Sequence, residues 1–125
     1  MSYEVRLNED DGIVEVTYHG TVTLEERKEA VDEGCALHEN TRPYLVLVDV
    51  RDLVMNEGAM EQKIFAEYLA NQPPLNATNT KVAVLHKEKH NPYVLLSAFV
   101  FLKGQERAQF DNEKHTRDWL KGRFS

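Results

Sequence analysis

Residues 44–50, YLVLVDV, constrain this chain more than any other stretch. Successive side chains of a strand point to opposite faces, and this run is apolar at both sets of positions. A strand of that kind belongs in the middle of a sheet and is usually parallel to its neighbours. Residues 81–86, KVAVLH, repeat the signal. Parallel strands cannot be joined by tight turns and need crossover segments, usually helices. The fold class is therefore expected to be α/β.

The rest of the chain supplies the parts. Tyr3 to Leu7 and Val14 to Tyr18 alternate apolar and polar, with Asp10-Asp11-Gly12 between them as a turn signal. The pattern predicts a hairpin with Tyr3, Val5, Leu7, Val14, Val16 and Tyr18 on one face. Thr23-Leu24-Glu25-Glu26 is a capping box, in which each side chain satisfies a free backbone N–H. The helix it opens is expected to reach about Glu39. Leu24, Val31 and Cys35 form its apolar edge, and Gly34 permits close approach to the sheet. A second helix is expected over residues 57–70, with Met60, Ile64, Phe65, Tyr68 and Leu69 at helical spacing. Short strand and helix patterns follow near 107–110 and 112–121.

Residues 91–104, NPYVLLSAFVFLKG, are the most apolar stretch. Asn91 suits an N-cap, Pro92 the first helical position and Gly104 the position after the last turn. That makes a helix of about twelve residues, roughly 18 Å long. Crossing a bilayer takes about twenty residues, so the stretch is not expected to span one. Leu95, Ala98, Phe99 and Leu102 form one stripe suited to the sheet. Val94, Leu96, Val100 and Phe101 flank it, and one stripe does not require them.

The order is β-β-α-β-α-β-α-β-α. Crossovers between parallel strands are right-handed almost without exception. If the strands add in sequence order, the helices are expected on one side of the sheet and the other face is left bare. Glu4, Arg6, Glu15 and Thr17 make the first half of that face polar. The second half, from 44–50 and 81–86, is apolar and offers a surface for a homodimer.

Length and composition exclude several functions. At 125 residues the chain fits one domain, residues 1–125. A net charge of −6 with no basic cluster argues against a nucleic-acid partner. Cys35 is the one cysteine, which rules out an intrachain disulfide and a cysteine-based zinc site. No positive stretch followed by an apolar one opens the sequence, so a cytoplasmic protein is expected. G-x-G-x-x-G, P-loop and G-x-S-x-G motifs are absent, and no cofactor is expected.

This order, with LVLVDVRDLVMNEGAM after the first crossover helix and FDNEKHTRDWL near the end, resembles the SpoIIAA-like group. Its members are relatives of the STAS domain and of the anti-sigma-factor antagonists. The likeness spans nearly the whole chain and is one of pattern. It implies a SpoIIAA-like (βα) superhelix with a single mixed, mostly parallel five-stranded sheet and helices mainly on one face. It also implies either a protein partner, an anti-sigma kinase bound under the control of a serine phosphorylated on the family member itself, or an apolar ligand or membrane surface. In the antagonists a strand ending in Asp leads to a serine at the next helix start. Asp49 matches that Asp, but the helix start here reads Asn56-Glu57-Gly58, and the only serines are Ser2, Ser97 and Ser125. Asn56 and Glu57 therefore stand at the switch position without a group to phosphorylate. Asn56 suits an N-cap, and Glu57 offers a fixed negative charge there.

Two constellations bear on chemistry. His86 and His90 have helical metal-site spacing, but His86 ends a strand and no third ligand lies near, so no metal is expected. Asp49, Asp52 and His86 fall near the C-terminal ends of adjacent strands, where open α/β sheets bind ligands. Asp49 and His86 make an acid–base pair conceivable. No nucleophile or oxyanion loop accompanies them, and Asp49 suits a turn-capping role. Three functions follow in order. The first is a non-enzymatic binding module for an apolar or amphiphilic ligand or a membrane surface, with Phe65, Tyr68, Leu69, Leu96, Phe99 and Val100 lining the site between the 57–70 and 92–103 helices. The second is a regulatory protein-interaction module that lacks the phosphoserine. The third is a small enzyme using Asp49 and His86.

The apolar helix carries its own test. Phe99→Ala should cost about 3–5 kcal/mol in chemical denaturation, the range for a buried Phe. If Leu96 lines a ligand site, Leu96→Lys leaves the melting temperature nearly unchanged and abolishes binding of apolar ligands. If Leu96 is ordinary core, the same change buries a charge and removes several kcal/mol, about the whole margin of a small domain.

Overall fold

The computed structural model describes residues 2–37, 43–54, 58–76, 80–87 and 106–122. Strands β1 (Tyr3–Asn8) and β2 (Ile13–Thr21) form the expected antiparallel hairpin. Its register pairs Tyr3 with Tyr18, Val5 with Val16 and Leu7 with Val14. All six apolar side chains therefore share one face. Gly12 closes the turn at φ 71°, a left-handed conformation that glycine adopts without strain, and its N–H donates to the Asn8 carbonyl at 2.8 Å.

Helix α1 (Leu24–Ala36) starts at the capping box read from the sequence. The Glu26 N–H donates to Thr23 Oγ1, and the Thr23 N–H donates to Glu26 Oε1, both at 3.1 Å. The helix stops short of Glu39, with Leu37 as its C-cap. Its buried residues are Arg27, Ala30 and Gly34. The expected edge of Leu24, Val31 and Cys35 is only partly buried beside them. Small side chains face the sheet, and the larger apolar ones flank the contact.

Strand β3 (Leu45–Val54) runs parallel to β2 and extends beyond the expected end at Val50. The extension pairs His19, Gly20 and Thr21 with Asp52, Leu53 and Val54, after a register shift between Thr17 and His19. A bulge of this kind re-aims the side chains that follow it. Val50 and Leu53, three residues apart, both reach the same core. The polar pair Arg51-Asp52 reads as a loop in sequence because alternation across a bulge is broken.

Helix α2 (Ala59–Ala70) is capped by Gly58, not by Asn56. Glycine has no side chain to accept the first N–H groups. The Glu61 carboxylate reaches back instead and accepts the Gly58 N–H at 2.7 Å. Glu61 thereby places a negative charge at this helix start, where the dipole favours it. Asn56 and Glu57 lie outside the described residues. A 3₁₀ turn (Pro73–Asn76) leads toward β4 (Lys81–Leu85), and β5 (Glu106–Phe110) follows. The helix expected over 92–103 also lies outside the described residues. The last described helix, α3 (Glu113–Leu120), is capped by Asn112, whose Oδ1 accepts the His115 N–H at 3.1 Å.

The five strands form one sheet in the order β1-β2-β3-β4-β5. All neighbours are parallel except β1 and β2. Helices α1 and α2 pack on the face that carries Val14, Val16, Val46, Val82 and Val84. Helix α3 lies on the other face, against β3, β4 and β5. Leu120 (2 % exposed) joins Ile13, Leu45, Leu47, Ala83 and Leu85 there, with Phe110 and Trp119 at the edge. The second face is therefore not bare, and the apolar surface offered for a homodimer is occupied by the chain's own helix. The handedness rule governs helices that connect two strands. α3 follows the last strand, so burial alone chose its side.

The polar half of the second face locks α3 in place. Arg117 bonds Glu15, Asp11 at 3.0 Å and Glu113 at 3.1 Å. Glu15 is 7 % exposed and also accepts from Arg6 and Asn8. Burial pushes its carboxyl up, but the hydrogen bonds from Arg117 and Arg6 outweigh that and hold it below its ordinary value of 4.5. The resulting stability is present above the unfolded-state value and is lost as pH falls through the lower, folded one. Glu15→Gln should cost about 1–3 kcal/mol near neutral pH. The gap between variant and parent should narrow at an acid pH low enough to protonate Glu15 in both states. Urea unfolding midpoints at the two pH values measure both.

Candidate functional site

A cavity of about 60 Å³ lies between α1, α2 and the sheet. Its floor is the β-branched surface of the three central strands: Val16 on β2, Val46 and Val48 on β3, Val82 and Val84 on β4. α2 contributes Phe65 and Leu69. α1 contributes Arg27, Ala30, Val31, Gly34 and Cys35. The cause of the void is local. Ala30 and Gly34, one turn apart, put almost no volume where a Leu would fill the gap. A Cβ on Gly34 would stand 3.4 Å from Tyr44 Oη and 3.8 Å from Val16 Cγ2, which is ordinary contact. Close approach thus does not demand glycine at this position; its missing side chain leaves space.

The wall holds one charged side chain among its described residues, Arg27, which is 4 % exposed. Its guanidinium carbon lies 3.9 Å from the centre of the Phe65 ring. A desolvated stack of this kind is worth about 2 kcal/mol and ties α1 to α2 through the cavity wall. The other polar groups are neutral. Burial pushes the Cys35 thiol up to about 11, against an opposing hydrogen bond with Tyr44, and burial raises the Tyr44 phenol as well. Neither ionises near neutrality.

Of the residues expected to line a site, Phe65 and Leu69 reach this cavity. Tyr68 points the other way. Its hydroxyl donates to the Asp32 carboxylate, and Lys28 Nζ lies 5.3 Å from its ring centre. The bond to Asp32, with some burial, raises the phenol to about 12. Tyr68 braces the outer edges of α1 and α2. Leu96, Phe99 and Val100 lie outside the described residues. On α1, Val31 and Cys35 of the expected apolar edge line the cavity, but Arg27, Ala30 and Gly34 beside them were not read as its wall. The signal was the small pair Ala30 and Gly34, with Arg27 one turn earlier on the same face.

Asp49 is engaged. Its carboxylate accepts from Arg51 Nε at 3.0 Å, from the far guanidinium nitrogen at 2.8 Å and from the Arg51 backbone N–H at 3.0 Å. The bond to the Arg51 N–H caps one backbone amide, but it lies within β3 at the register shift, not in the following turn expected from the sequence. His86 sits at the end of β4 with Nδ1 2.7 Å from the Lys87 carbonyl. Among the described residues no group of three or more His, Cys, Asp or Glu is placed to hold a metal ion. No helix among them is long and apolar enough to cross a membrane.

The chain's likeness to known proteins is one of fold. No family model matches the chain, and no curated protein does. A solved structure does match, that of an uncharacterized DUF3478-family protein with a SpoIIAA-like fold from Shewanella loihica PV-4. The TM-score is 0.59 at 17 % identity, over 94 % of this chain and 91 % of that one. The fold is SpoIIAA-like. At that identity the likeness extends to the fold alone.

The neutral cavity wall gives a chemical test. The Cys35 value rises from 9.0 to about 11. Two units leave roughly a hundredfold less thiolate at a given pH below both values. Iodoacetamide at about pH 8 should therefore label Cys35 of the folded protein roughly a hundredfold more slowly than the unfolded chain. In the folded protein the rate should rise about tenfold per pH unit and level off only near pH 11.

Proposed function

We propose that this chain is a non-enzymatic SpoIIAA-like binding module that takes a small apolar or amphiphilic compound into the cavity between α1, α2 and the sheet. The observation that carries this reading is the cavity itself. Native cores contain few voids larger than a water molecule. A void of about 60 Å³ holds about four to six water-sized groups. Left empty, it forgoes about 1–2 kcal/mol of packing at the measured cost per unit cavity volume. An apolar guest would recover that. The engagement of Asp49 with Arg51 favours a non-enzymatic reading, since a carboxylate already in a bidentate pair is a poor general base.

A second reading has its own observation. Val54 (55 % exposed), Met60 (68 %) and Ile64 (37 %) present large apolar side chains to solvent at the end of β3 and the start of α2. Met60 and Ile64 stand one turn apart on the same side of the helix. Exposed apolar groups beside the loop where antagonists carry their switch favour a protein-interaction role, with a contact that no phosphate can interrupt. Residues 50–60 contain no Ser, Thr or Tyr.

Titration of the full chain with 1-butanol, followed through the methyl resonances of Val16, Val46, Val82 and Leu69, tests the first reading. Saturable shifts confined to these methyls are expected. They should vanish in Ala30→Leu, which fills the void. Absence of saturable shifts in the parent overturns the cavity reading. Binding of a purified anti-sigma kinase that is lost in Met60→Lys and kept in Ala30→Leu would establish the second reading in its place.

A further inference from the structure

We infer that the chain pairs with a second copy of itself along the outer edge of β1, antiparallel, with the two Val5 residues facing each other at a two-fold axis. This edge is a different surface from the sheet face that α3 covers. β1 ends the sheet, and among the described residues no strand pairs with its outer side. Natural sheet edges are commonly blunted by bulges, prolines or charges. β1 keeps an unbroken register from Tyr3 to Asn8 and contains no proline. Its charges, Glu4 and Arg6, are of opposite sign and share one face.

One hydrogen bond shows which backbone groups face outward. The His19 N–H donates to the Ser2 carbonyl at 2.8 Å, which makes these two a hydrogen-bonded pair. Such pairs alternate with non-bonded ones along an antiparallel ladder. In the register that sets Tyr3 against Tyr18, Glu4 and Arg6 therefore turn their backbone groups toward β2. Tyr3, Val5 and Leu7 turn theirs toward the outer edge. The side chains of Val5 and Leu7 pack against the core but are only partly buried. A strand added here would satisfy the outward groups and cover that remaining apolar surface.

The sequence of β1 is complementary to itself. Residues opposite one another in a sheet share a face, so odd positions must meet odd ones. Centred on Val5, Tyr3 meets Leu7 of the second copy, and Leu7 meets its Tyr3. These are the residues whose backbone groups point outward, so each opposed pair exchanges two hydrogen bonds. On the other face Glu4 stands opposite Arg6 of the second copy, and Arg6 opposite its Glu4. Moving the centre to Glu4 or to Arg6 sets like charges against each other, which is destabilising. The charges therefore select a single register. Arg6 already bonds Glu15, its neighbour on β2, and its side chain is 68 % exposed. Glu4 of the second copy would extend that row with alternating sign. The contact is isologous, since one strand supplies both halves of every pair.

Charge also limits the affinity. Glu26, Glu29 and Glu33 of α1 reach this edge, where they accept from Ser2 and Tyr3. A second copy brings the same carboxylates, and each chain carries −6. Exposed charges more than about 8 Å apart are largely screened at physiological salt, so this repulsion weakens the dimer and leaves its register unchanged. A single strand pair is also small for a specific interface, and a dissociation constant on the order of 0.1 mM is expected.

Sedimentation equilibrium of the full chain, from about tenfold below to tenfold above that concentration, tests the inference together with amide hydrogen exchange. A reversible dimer is expected. The Tyr3, Val5 and Leu7 amides should exchange more slowly as concentration rises, while those of Glu4 and Arg6, which face β2, should not change. Glu4→Arg sets like charges opposite at both pairs, and its neighbour on β2 is the uncharged Thr17. It should weaken the dimer about tenfold or more. Arg6→Glu should do the same alone. An equimolar mixture of the two variants should dimerise again, because every charged pair across the axis then joins opposite signs. Should Arg6→Glu fail to fold without its bond to Glu15, Val5→Pro takes its place. It removes an outward N–H at the axis, leaves the ladder to β2 intact and should abolish the dimer. A chain that stays monomeric over that range overturns the inference. So does a dimer that survives Glu4→Arg or leaves the Val5 amide unprotected.

Discussion

A central strand with apolar side chains on both faces has to be covered twice. β3 sends Val46, Val48 and Val50 to one side and Leu45 and Leu47 to the other. β4 repeats this with Val82 and Val84 against Ala83 and Leu85. Full burial of one such side chain is worth about 1.5–3 kcal/mol, so an uncovered face would give up much of a small domain's net stability. α1 and α2 cover the first face because right-handed crossovers deliver them there. The second face is left for whatever remains of the chain, and α3 takes it. Its seat is apolar over β3 to β5 and ionic over β2, where Arg117 meets Glu15 and Asp11. The ionic part sets the helix's position along the sheet, and the apolar part supplies most of the adhesion.

The two covers are packed differently, and that difference is where function enters. Under α3, Leu120, Leu85 and Ile13 are almost fully buried. Under α1, the residues that meet the sheet are Ala30, Gly34 and the stem of Arg27. A helix with small side chains on its contact face gives up dispersion contacts with the floor beneath it. A buried arginine in the same wall carries a desolvation cost, and the stack on Phe65 offsets part of it. Both features depart from an ordinary apolar core at the same place. Local departures from the best packing are where binding sites are usually built, and here the two departures share one cavity.

Much of the architecture was legible in the sequence. The hairpin register followed from two alternating runs around Asp10-Asp11-Gly12, because a period of two leaves one arrangement that puts Tyr3, Val5 and Leu7 beside Val14, Val16 and Tyr18. The start of α1 followed from Thr23 and Glu26, since a capping box is satisfied within four residues. The cap of α2 was misplaced for a related reason. Asn56 and Gly58 both suit the position, and only the reach of Glu61 to the Gly58 N–H distinguishes them. The end of β3 was hidden by a bulge, which depends on the partner strand and not on the strand's own residues.

The cavity was only half legible. Phe65 and Leu69 were visible because large apolar side chains at helical spacing announce a buried face. Arg27 and Ala30 were not, because a cation and a small residue carry no hydrophobic signal of their own, and Gly34 was read only as permitting close approach to the sheet. By itself, then, the sequence determined the elements, their order and the parallel pairing at the centre, all of which rest on periodicity and local hydrogen bonding. The tertiary structure alone decided the side of the sheet on which α3 lies, the union of Glu15 with Arg117 across more than half the chain, and the space left above the central strands. Those outcomes depend on volume and charge brought together from distant segments, and no local pattern encodes them.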